Sequence, residues 1–199
     1  PPRSTLFPYT TLFRSSENFF YMCFGKVPKK EIVKAFDVSL ILYAEHSFNV
    51  STFTARTITS SLSDIHGAIT GAIASLKGSL HGGANEKVMH MLKKIKKPEN
   101  AEKWILDALE KKKLIMGFGH RVYSKGDSRV PTMKKYYLKV AELLNEKNLP
   151  KMSQVIEDIM LEKKNIYPNV DYDTGPTYHL MGFDTDFFTP IFEIGRAHV

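Results

Sequence analysis

The sequence predicts an all-α protein, and three observations lead to that fold class. From Pro28 onward, apolar residues recur at steps of three and four, which is the period of one helix face. No strand-like alternation of apolar and polar residues exceeds four residues. No repeat at the period of a solenoid protein is present either. With 199 residues, the chain is long enough for one sizeable domain or two small ones.

Composition and charge narrow the class further. Apolar residues make up 43% of the chain and charged residues 25%, which is typical of a soluble globular protein, and no apolar run approaches a membrane helix. Cys23 is the only cysteine, which excludes an internal disulfide and favours a reducing, cytoplasmic compartment. The net charge of +7 comes mainly from lysines, many of them at 93–97 and 111–113. These runs indicate solvated helix ends or an anionic, phosphate-bearing ligand, whereas nucleic acid is disfavoured because no binding motif occurs.

The two ends of the chain look foreign to the rest. Residues 1–15 follow neither a helical nor a strand period and contain an imperfect echo of themselves. Residues 195–199 end the chain just as abruptly. We interpret both as adapter-like, non-native segments and leave them out of the fold prediction. A signal peptide is the alternative for the start, and it fails because no continuous apolar core follows Arg3.

The first predicted helix begins near Pro28 and carries one apolar face. That face is formed by Ile32, Phe36, Leu40 and Tyr43. Residues 45–49 interrupt this helix, and Ser51 is the expected N-cap of the next one. The next helix is predicted to run over 52–76 without a break and to end at Gly78. Its many small residues let another helix approach closely, so we expect it at the centre of the core or at a subunit interface.

Glycine, proline and asparagine divide the rest of the chain. Helices are predicted over 86–96, over 98–109, over 132–147 and over 152–164. Residues 79–85 and 168–176 are expected to be irregular. The last segment, 178–192, is rich in aromatic residues and methionine, and we expect it to pack back on the first part of the chain.

The stretch 114–129 organises the sequence. Its segment Gly117-Phe-Gly-His120 brings two glycines, which allow a sharp turn or a close ligand, directly before an imidazole. The stretch ends at Arg129, and Pro131 is expected to open the next helix. An imidazole and a guanidinium can therefore face one pocket beside the backbone amides of the loop. The alternative is a plain connector in which His120 caps a helix end.

Three breaks in the helical pattern each leave one ionisable side chain near open backbone groups: His81, His120 and Asp171. Histidine and carboxylate together suit general acid–base chemistry because burial and neighbours can bring their pKa values toward neutrality. His66 and His90 lie inside predicted helices and are interpreted as surface or core residues.

A metal site built from His46, His81, His120 and Asp171 is the main rival interpretation. The spacing of these residues matches no usual short ligand pair, and neither an HExxH nor a cysteine motif occurs, so we predict no metal. No phosphate-binding Gly-x-x-x-x-Gly-Lys-Ser/Thr loop is present, which disfavours a nucleoside triphosphatase. No Gly-x-Ser-x-Gly occurs, which disfavours a hydrolase.

Three segments together resemble the citrate synthase family in order and spacing. They are Ser79-Leu-His-Gly-Gly-Ala-Asn-Glu86, Gly117-Phe-Gly-His-Arg-Val-Tyr123 and Pro168-Asn-Val-Asp171. Glu45-His46 with Asn49-Val-Ser-Thr-Phe-Thr is similar to the oxaloacetate-contacting turn of the family. The resemblance covers nearly all of residues 17–193. Within the family, residues 126–133 and 175–184 look like the 2-methylcitrate synthase branch.

The resemblance implies a C-acyltransferase that condenses propionyl-CoA or acetyl-CoA with oxaloacetate to give 2-methylcitrate or citrate plus CoA. Asp171 would remove the α-proton, His81 would hydrogen-bond the thioester oxygen as it becomes an enol or enolate, and His120 would polarise the ketone. His46, Asn49 and Arg129 would bind oxaloacetate. The CoA site would be formed by Leu114, Met116, Gly117, Phe118, Gly119, Arg121 and Lys125. No cofactor beyond the two substrates is expected.

The resemblance also implies a homodimer of two-domain helical subunits. Residues 16–83 would belong to the large domain, 84–186 to a small domain whose closure excludes water, and 187–194 to the large domain again. The chain would be a fragment that lacks N-terminal helices and C-terminal arginines, and we expect it to be inactive alone. The alternatives are a citrate synthase proper that prefers acetyl-CoA, and a catalytically silent helical scaffold. The scaffold is favoured if His81, His120 and Asp171 do not converge on one cleft.

Overall fold

The computed structural model describes residues 15–44, 49–120, 122–123 and 125–196, with side chains described as far as residue 194. This part of the chain contains ten α-helices, two 3₁₀ helices and no strand, so the predicted all-α class is confirmed. The helices are α1 (Ser15–Phe24), α2 (Lys30–Ala44), α3 (Val50–Ser60), α4 (Ile65–Leu76), α5 (Ala84–Ile95), α6 (Ala101–Glu110), α7 (Val130–Leu143), α8 (Asn148–Lys164), α9 (Val170–Leu180) and α10 (Phe188–Arg196). None of these helices is long and apolar enough to cross a membrane.

Helix α2 is the element around which the first and last parts of the chain pack. Its predicted apolar face is confirmed, because Ile32, Phe36 and Tyr43 are buried. The ring of Phe36 lies 5.2 Å from that of Phe20 in α1 and 5.5 Å from that of Phe183 after α9. Helix α10 returns to pack on α2 and α5, as expected for the aromatic C-terminal segment. This packing fixes the C-terminal end of α2 next to the start of α9.

The prediction of one unbroken helix over 52–76 is wrong. Helix α3 ends at Ser60, Leu62 adopts a φ of 63°, and Asp64 caps α4 by accepting a hydrogen bond of 2.7 Å from the amide of Gly67. The N-cap of α3 is Asn49 rather than Ser51. The small residues pack α3 on α4, since a Cβ at Gly71 would lie 2.3 Å from Ile58 Cδ1. The segment folds back on itself instead of spanning the core.

The expectation of an irregular segment over 168–176 is also wrong. Helix α9 begins at Val170, and the side chain of Asn169 caps it by accepting a hydrogen bond of 3.1 Å from the amide of Asp171. Gly175 lies inside this helix. A larger residue would not fit there, because a Cβ would lie 2.6 Å from the Asn85 carbonyl oxygen. The glycine therefore serves the close approach of α9 to α5. Asp171 lies in the first turn of a helix, not in a loop.

Candidate active site

His81, His120, Arg129 and Asp171 lie around one cavity of about 310 Å³. His81 comes from the turn before α5, His120 from the loop before α7, and Asp171 from the first turn of α9. Arg129 is the N-cap residue of α7. The three candidate catalytic side chains therefore share one cleft, which is the arrangement that argues against a silent scaffold.

Asp171 is held by a tyrosine from another helix. The hydroxyl of Tyr43 donates a hydrogen bond of 2.7 Å to Asp171 Oδ1. Burial, followed by the negative charge of Asp171, raises the pKa of Tyr43 well above its usual value of 10.0, so the phenol keeps its proton. The carboxylate also lies at a helix N-terminus, where the helix dipole favours negative charge. An ionised Asp171 is therefore both stabilised and fixed in direction.

Backbone amides fix the tautomer of His120. The amides of Val122 and Tyr123 donate hydrogen bonds of 3.1 and 3.3 Å to His120 Nδ1. An amide N–H can only donate, so Nδ1 carries a lone pair and the proton of the neutral ring lies on Nε2. The ring packs 4.6 Å from that of Tyr123. His120 can therefore offer an Nε2–H donor to an acceptor in the cavity.

His81 carries the opposite tautomer for the same reason. The amide of Ser51, in the first turn of α3, donates a hydrogen bond of 3.3 Å to His81 Nε2, and the Ser51 hydroxyl lies 3.0 Å from the same nitrogen. The proton of the neutral ring is therefore on Nδ1. Phe192 of α10 packs edge-on against the imidazole at 5.7 Å. His81 is thus oriented by two different helices.

Arg129 is paired with Asp127 through two parallel hydrogen bonds. Arg129 Nε donates to Asp127 Oδ1 at 2.9 Å, and one terminal nitrogen donates to Oδ2 at 2.8 Å. Burial alone would raise the pKa of Asp127, but the bonds from Arg129 outweigh burial and hold this pKa below its usual value. The same carboxylate accepts the amide of Val170 at 3.0 Å. Asp127 therefore joins the start of α7 to the start of α9.

Hydrogen bonds join the glycine loop, residues 114–119, to the segment before α9. Gly119 donates its amide to the Tyr167 carbonyl at 2.8 Å, and Asn169 donates its amide to the Gly117 carbonyl at 2.8 Å. The Asn169 side chain donates to the Gly119 carbonyl at 2.9 Å. Residues 114–119, which include five of the predicted CoA-binding positions, all line the cavity. The loop and the start of α9 form one wall of it.

Two predicted binding residues do not line the cavity, and two others are not described by the structure. Asn49 caps α3 and is not among the cavity-lining residues, although its neighbour Val50 is. Lys125 is exposed and does not line the cavity either. His46 and Arg121 lie outside the described residues. Their binding roles, like the other site assignments, stay predictions.

Three polar residues of the site are not predicted as site residues from the sequence. The sequence predicts Tyr43 only as part of the apolar face of α2 and Ser51 only as a helix cap, and it assigns no role to Asp127. The spacing of Asp127 and Arg129 offered a signal, because two residues in a turn can pair directly. Nothing in the sequence indicated that the tip of Tyr43 reaches α9. Among the described residues, no group of three or more His, Cys, Asp or Glu side chains is placed to hold a metal ion.

The all-α fold gathers two histidines and an aspartate around one cavity, which is the arrangement that the three sequence segments predicted. The family model of the citrate synthase C-terminal domain matches residues 8–198. The chain therefore belongs to the citrate synthase family, as the three sequence segments indicated.

Individual relatives carry two enzyme names. The 2-methylcitrate synthase of Mycobacterium tuberculosis is 53% identical over 181 residues, which are 91% of this chain and 46% of the relative. Citrate synthase 2 of Bacillus subtilis is 50% identical over 181 residues, which are 91% of this chain and 49% of the relative. A citrate synthase of Thermoplasma acidophilum, solved in a ternary complex with carboxymethyl coenzyme A and oxaloacetate, is 37% identical with a TM-score of 0.82. That match covers 92% of this chain and 50% of the solved chain. The chain thus spans about half the length of these relatives.

Proposed function

We propose that the protein condenses an acyl-CoA, propionyl-CoA or acetyl-CoA, with oxaloacetate. The observation that carries the proposal is the convergence of His81, His120 and Asp171 on one cavity, with the two imidazoles in opposite tautomers. One cavity then holds a base, two N–H donors and a guanidinium, which are the groups that an enolate-forming condensation needs.

In the first step, the Asp171 carboxylate takes a proton from the α-carbon of the acyl group. The electron pair of that C–H bond forms the carbon–carbon double bond of an enol or enolate, and negative charge moves to the thioester oxygen. The Nδ1–H of His81 donates to this oxygen. Donors aimed at charge that develops only during reaction stabilise the transition state more than the ground state.

In the second step, the enolate carbon attacks the ketone carbon of oxaloacetate and forms the new carbon–carbon bond. The Nε2–H of His120 donates to the ketone oxygen, which becomes an alkoxide and then the hydroxyl of the product. Hydrolysis of the thioester by water then gives 2-methylcitrate or citrate plus CoA. Arg129 is proposed to bind an oxaloacetate carboxylate, and the hydrogen bonds from its Nε and one terminal nitrogen to Asp127 fix the orientation of the guanidinium.

The residues of the glycine loop are proposed to hold CoA. The backbone of 114–119 lines the cavity beside Asp171 and His81, so an acyl thioester bound along this loop reaches the base. The choice between acetyl-CoA and propionyl-CoA is measured by assaying the full-length protein with both substrates in parallel. A citrate synthase proper is the outcome if acetyl-CoA has the higher kcat/KM.

The role of Asp171 is tested by Asp171→Asn in the full-length protein. The amide keeps the size of the side chain but has no basicity, so we expect turnover to fall ~10²–10⁴-fold while substrate binding changes little. Asp158→Asn, the same change at an exposed position of α8, is the matched control. An Asp171→Asn enzyme with more than a tenth of the original turnover would remove Asp171 from this role.

We also propose a homodimer that covers α3 and α4. These helices pack on each other, and their outer sides expose apolar residues. The exposed set is Val50, Phe53, Leu62, Ile65, Ile69 and Ile73. Sedimentation of the full-length protein with Ile69→Glu is expected to show monomers, whereas Leu138→Glu on α7 leaves the dimer intact. A dimer that survives Ile69→Glu would place the interface elsewhere.

A further inference from the structure

Tyr43 lies at the C-terminal end of α2 and is completely buried. Its ring packs 4.4 Å from that of Phe192 in α10 and 6.4 Å from that of Tyr178 in α9. Aromatic packing on two sides leaves the ring one orientation, in which its hydroxyl meets Asp171. Packing from α9 and α10 therefore sets where this hydroxyl points.

The hydrogen bonds at this hydroxyl run in one direction. The side-chain amide of Asn85, which is fully buried in the first turn of α5, donates to the Tyr43 oxygen at 3.1 Å. The single proton of the phenol then goes to Asp171 Oδ1 at 2.7 Å, because an ionised carboxylate can only accept. The result is a directed chain from Asn85 through Tyr43 to Asp171. It links α5, which follows His81, with the helix that carries the proposed base.

We propose that Tyr43, backed by Asn85, is a positioning residue that sets both the aim and the basicity of Asp171. This inference rests on the proposed function, in which Asp171 removes the α-proton. A hydrogen bond to the charged form of a carboxylate stabilises that form, so the base stays ionised at a lower pH than it would without the bond. The bond to Oδ1 also fixes the plane of the carboxylate. Tyr43 keeps its proton throughout, and the substrate proton goes to Asp171.

Other charged or titratable groups face Asp171 from the surrounding elements. Arg129 approaches from the start of α7, and Tyr178 lies further along α9. His81 and His120 line the same cavity as Asp171. Asp173, two residues further along α9, lies against Glu157 and Lys134 instead. His46, which is predicted to bind oxaloacetate, lies outside the described residues.

Tyr178 supplies a matched control within the same core. It is as completely buried as Tyr43, and its hydroxyl pairs with Ser39 Oγ at 2.9 Å. Replacing either tyrosine with phenylalanine removes one buried hydroxyl and keeps the ring. A general loss of packing or stability would affect both variants, whereas loss of control over Asp171 affects only Tyr43→Phe.

The experiment measures kcat and kcat/KM from pH 5 to 9 for the full-length protein, Tyr43→Phe, Tyr178→Phe, Asn85→Ala and Asp171→Asn. We expect Tyr43→Phe to move the acidic limb of the profile upward by ~1 pH unit and to lower kcat more than it changes the KM for oxaloacetate. Asn85→Ala, which removes the donor to the Tyr43 oxygen, is expected to move the limb in the same direction by less. Tyr178→Phe is expected to leave the limb where it is.

The outcomes distinguish a failure of the role of Tyr43 from a failure of the proposed function. If Asp171→Asn is inactive but the Tyr43→Phe and Asn85→Ala profiles superimpose on the original, Asp171 keeps its role and the control by Tyr43 is disproved. If Tyr178→Phe moves the limb as far as Tyr43→Phe does, the effect belongs to the core in general and the inference also fails. If Asp171→Asn turns over normally, both the base assignment and the inference fall.

Discussion

The carboxylate of Asp127 holds the guanidinium of Arg129 by both of its oxygens, and both side chains are almost fully buried. A third bond, from the amide of Val170, ties the same carboxylate to the residue before Asp171. The arginine proposed to bind oxaloacetate and the aspartate proposed to act as base are therefore positioned by one shared group.

Because Asp127 and Arg129 hold each other, the effects of substitutions at the two positions on the KM for oxaloacetate are expected to be non-additive. Arg129→Lys keeps the charge but loses the planar fork, so we expect the KM for oxaloacetate to rise ~10-fold or more. Asp127→Asn is expected to raise the same KM, because the guanidinium is no longer held in place. The double variant should be little worse than the more damaged single variant, as for residues in direct contact.

Steady-state kinetics with oxaloacetate and acyl-CoA varied in turn measures these effects. Asp107→Asn, which removes an exposed partner of Lys111 on α6, is the control and should change neither KM. An unchanged KM for oxaloacetate, with only the KM for acyl-CoA altered, would assign Arg129 to the CoA phosphates instead.

The buried carboxyl of Asp173 predicts a pH-dependent stability. Burial, followed by repulsion from Glu157, raises the pKa of Asp173 from 3.8 to about 7. Between those pH values the native state keeps a proton that the unfolded chain has released, so stability falls as the pH rises through this window. Asp173→Asn mimics the protonated acid, and we expect it to be more stable than the original at pH 8 by up to ~4 kcal/mol.

Denaturant unfolding of the full-length protein at pH 4, 6 and 8 tests this. The advantage of Asp173→Asn should be smallest at pH 4 and should level off above pH 7. Asp158→Asn, on the exposed side of α8, should show no such trend. An advantage that is constant with pH would mean that Asp173 ionises in the folded protein as it does in the unfolded chain.

The contact of Gly175 with α5 predicts a steric effect. Gly175→Ala would place a methyl group 2.6 Å from the Asn85 carbonyl oxygen, so α9 must move away from α5. We expect a loss of ~1–3 kcal/mol, the usual cost of overpacking a core. Gly67→Ala meets only the Ser63 and Asp64 side chains, at 3.2 and 3.6 Å, and should be near neutral or slightly stabilising. Thermal unfolding compares the two variants, and equal losses would contradict the prediction.

The chain of 199 residues is expected to be inactive when it is expressed alone, although it contains His81, His120 and Asp171. The relatives that it matches are about twice as long, and the outer sides of α3 and α4 expose large apolar side chains. Each 100 Å² of such surface costs ~2.5 kcal/mol to leave in water, against a typical net stability of ~5–15 kcal/mol. Thiol release from acyl-CoA with oxaloacetate, together with sedimentation, tests this. Turnover equal to that of the full-length protein, by a well-folded species, would prove the prediction wrong.

Local sequence pattern predicted most of the helices, because their faces depend on residues three and four apart. The face of α2 follows from such neighbours, and Pro131 lies in the first turn of α7, close to where it was expected to open that helix. The break between α3 and α4 was missed because Asp64 caps a helix only once the chain has turned at Leu62. The segment 168–176 was predicted to be irregular, because the reason for a glycine inside this helix lies in α5, far away in sequence.

Some residues of the candidate site could be predicted from the sequence in this way, and others could not. His81, His120 and Asp171 stand out in the sequence because each adjoins a break that family resemblance makes recognisable. Tyr43 does not stand out, because a tyrosine on an apolar helix face gives no sign of what its hydroxyl will meet. Its partner Asp171 lies 128 positions further along the chain, and only the folded arrangement of α2 and α9 brings the two together.

The hydrogen bonds between the glycine loop and the segment before α9 have a mechanical consequence. Gly117 and Gly119 exchange three hydrogen bonds with Tyr167 and Asn169, so neither segment can shift without breaking bonds or carrying the other along. A ligand that displaces the loop therefore also displaces the first turn of α9. The carboxylate of Asp171 moves together with the loop that the ligand contacts. The amides of Gly119 and Asn169 should accordingly exchange with deuterium as one cooperative unit, and both should slow together when that wall is occupied.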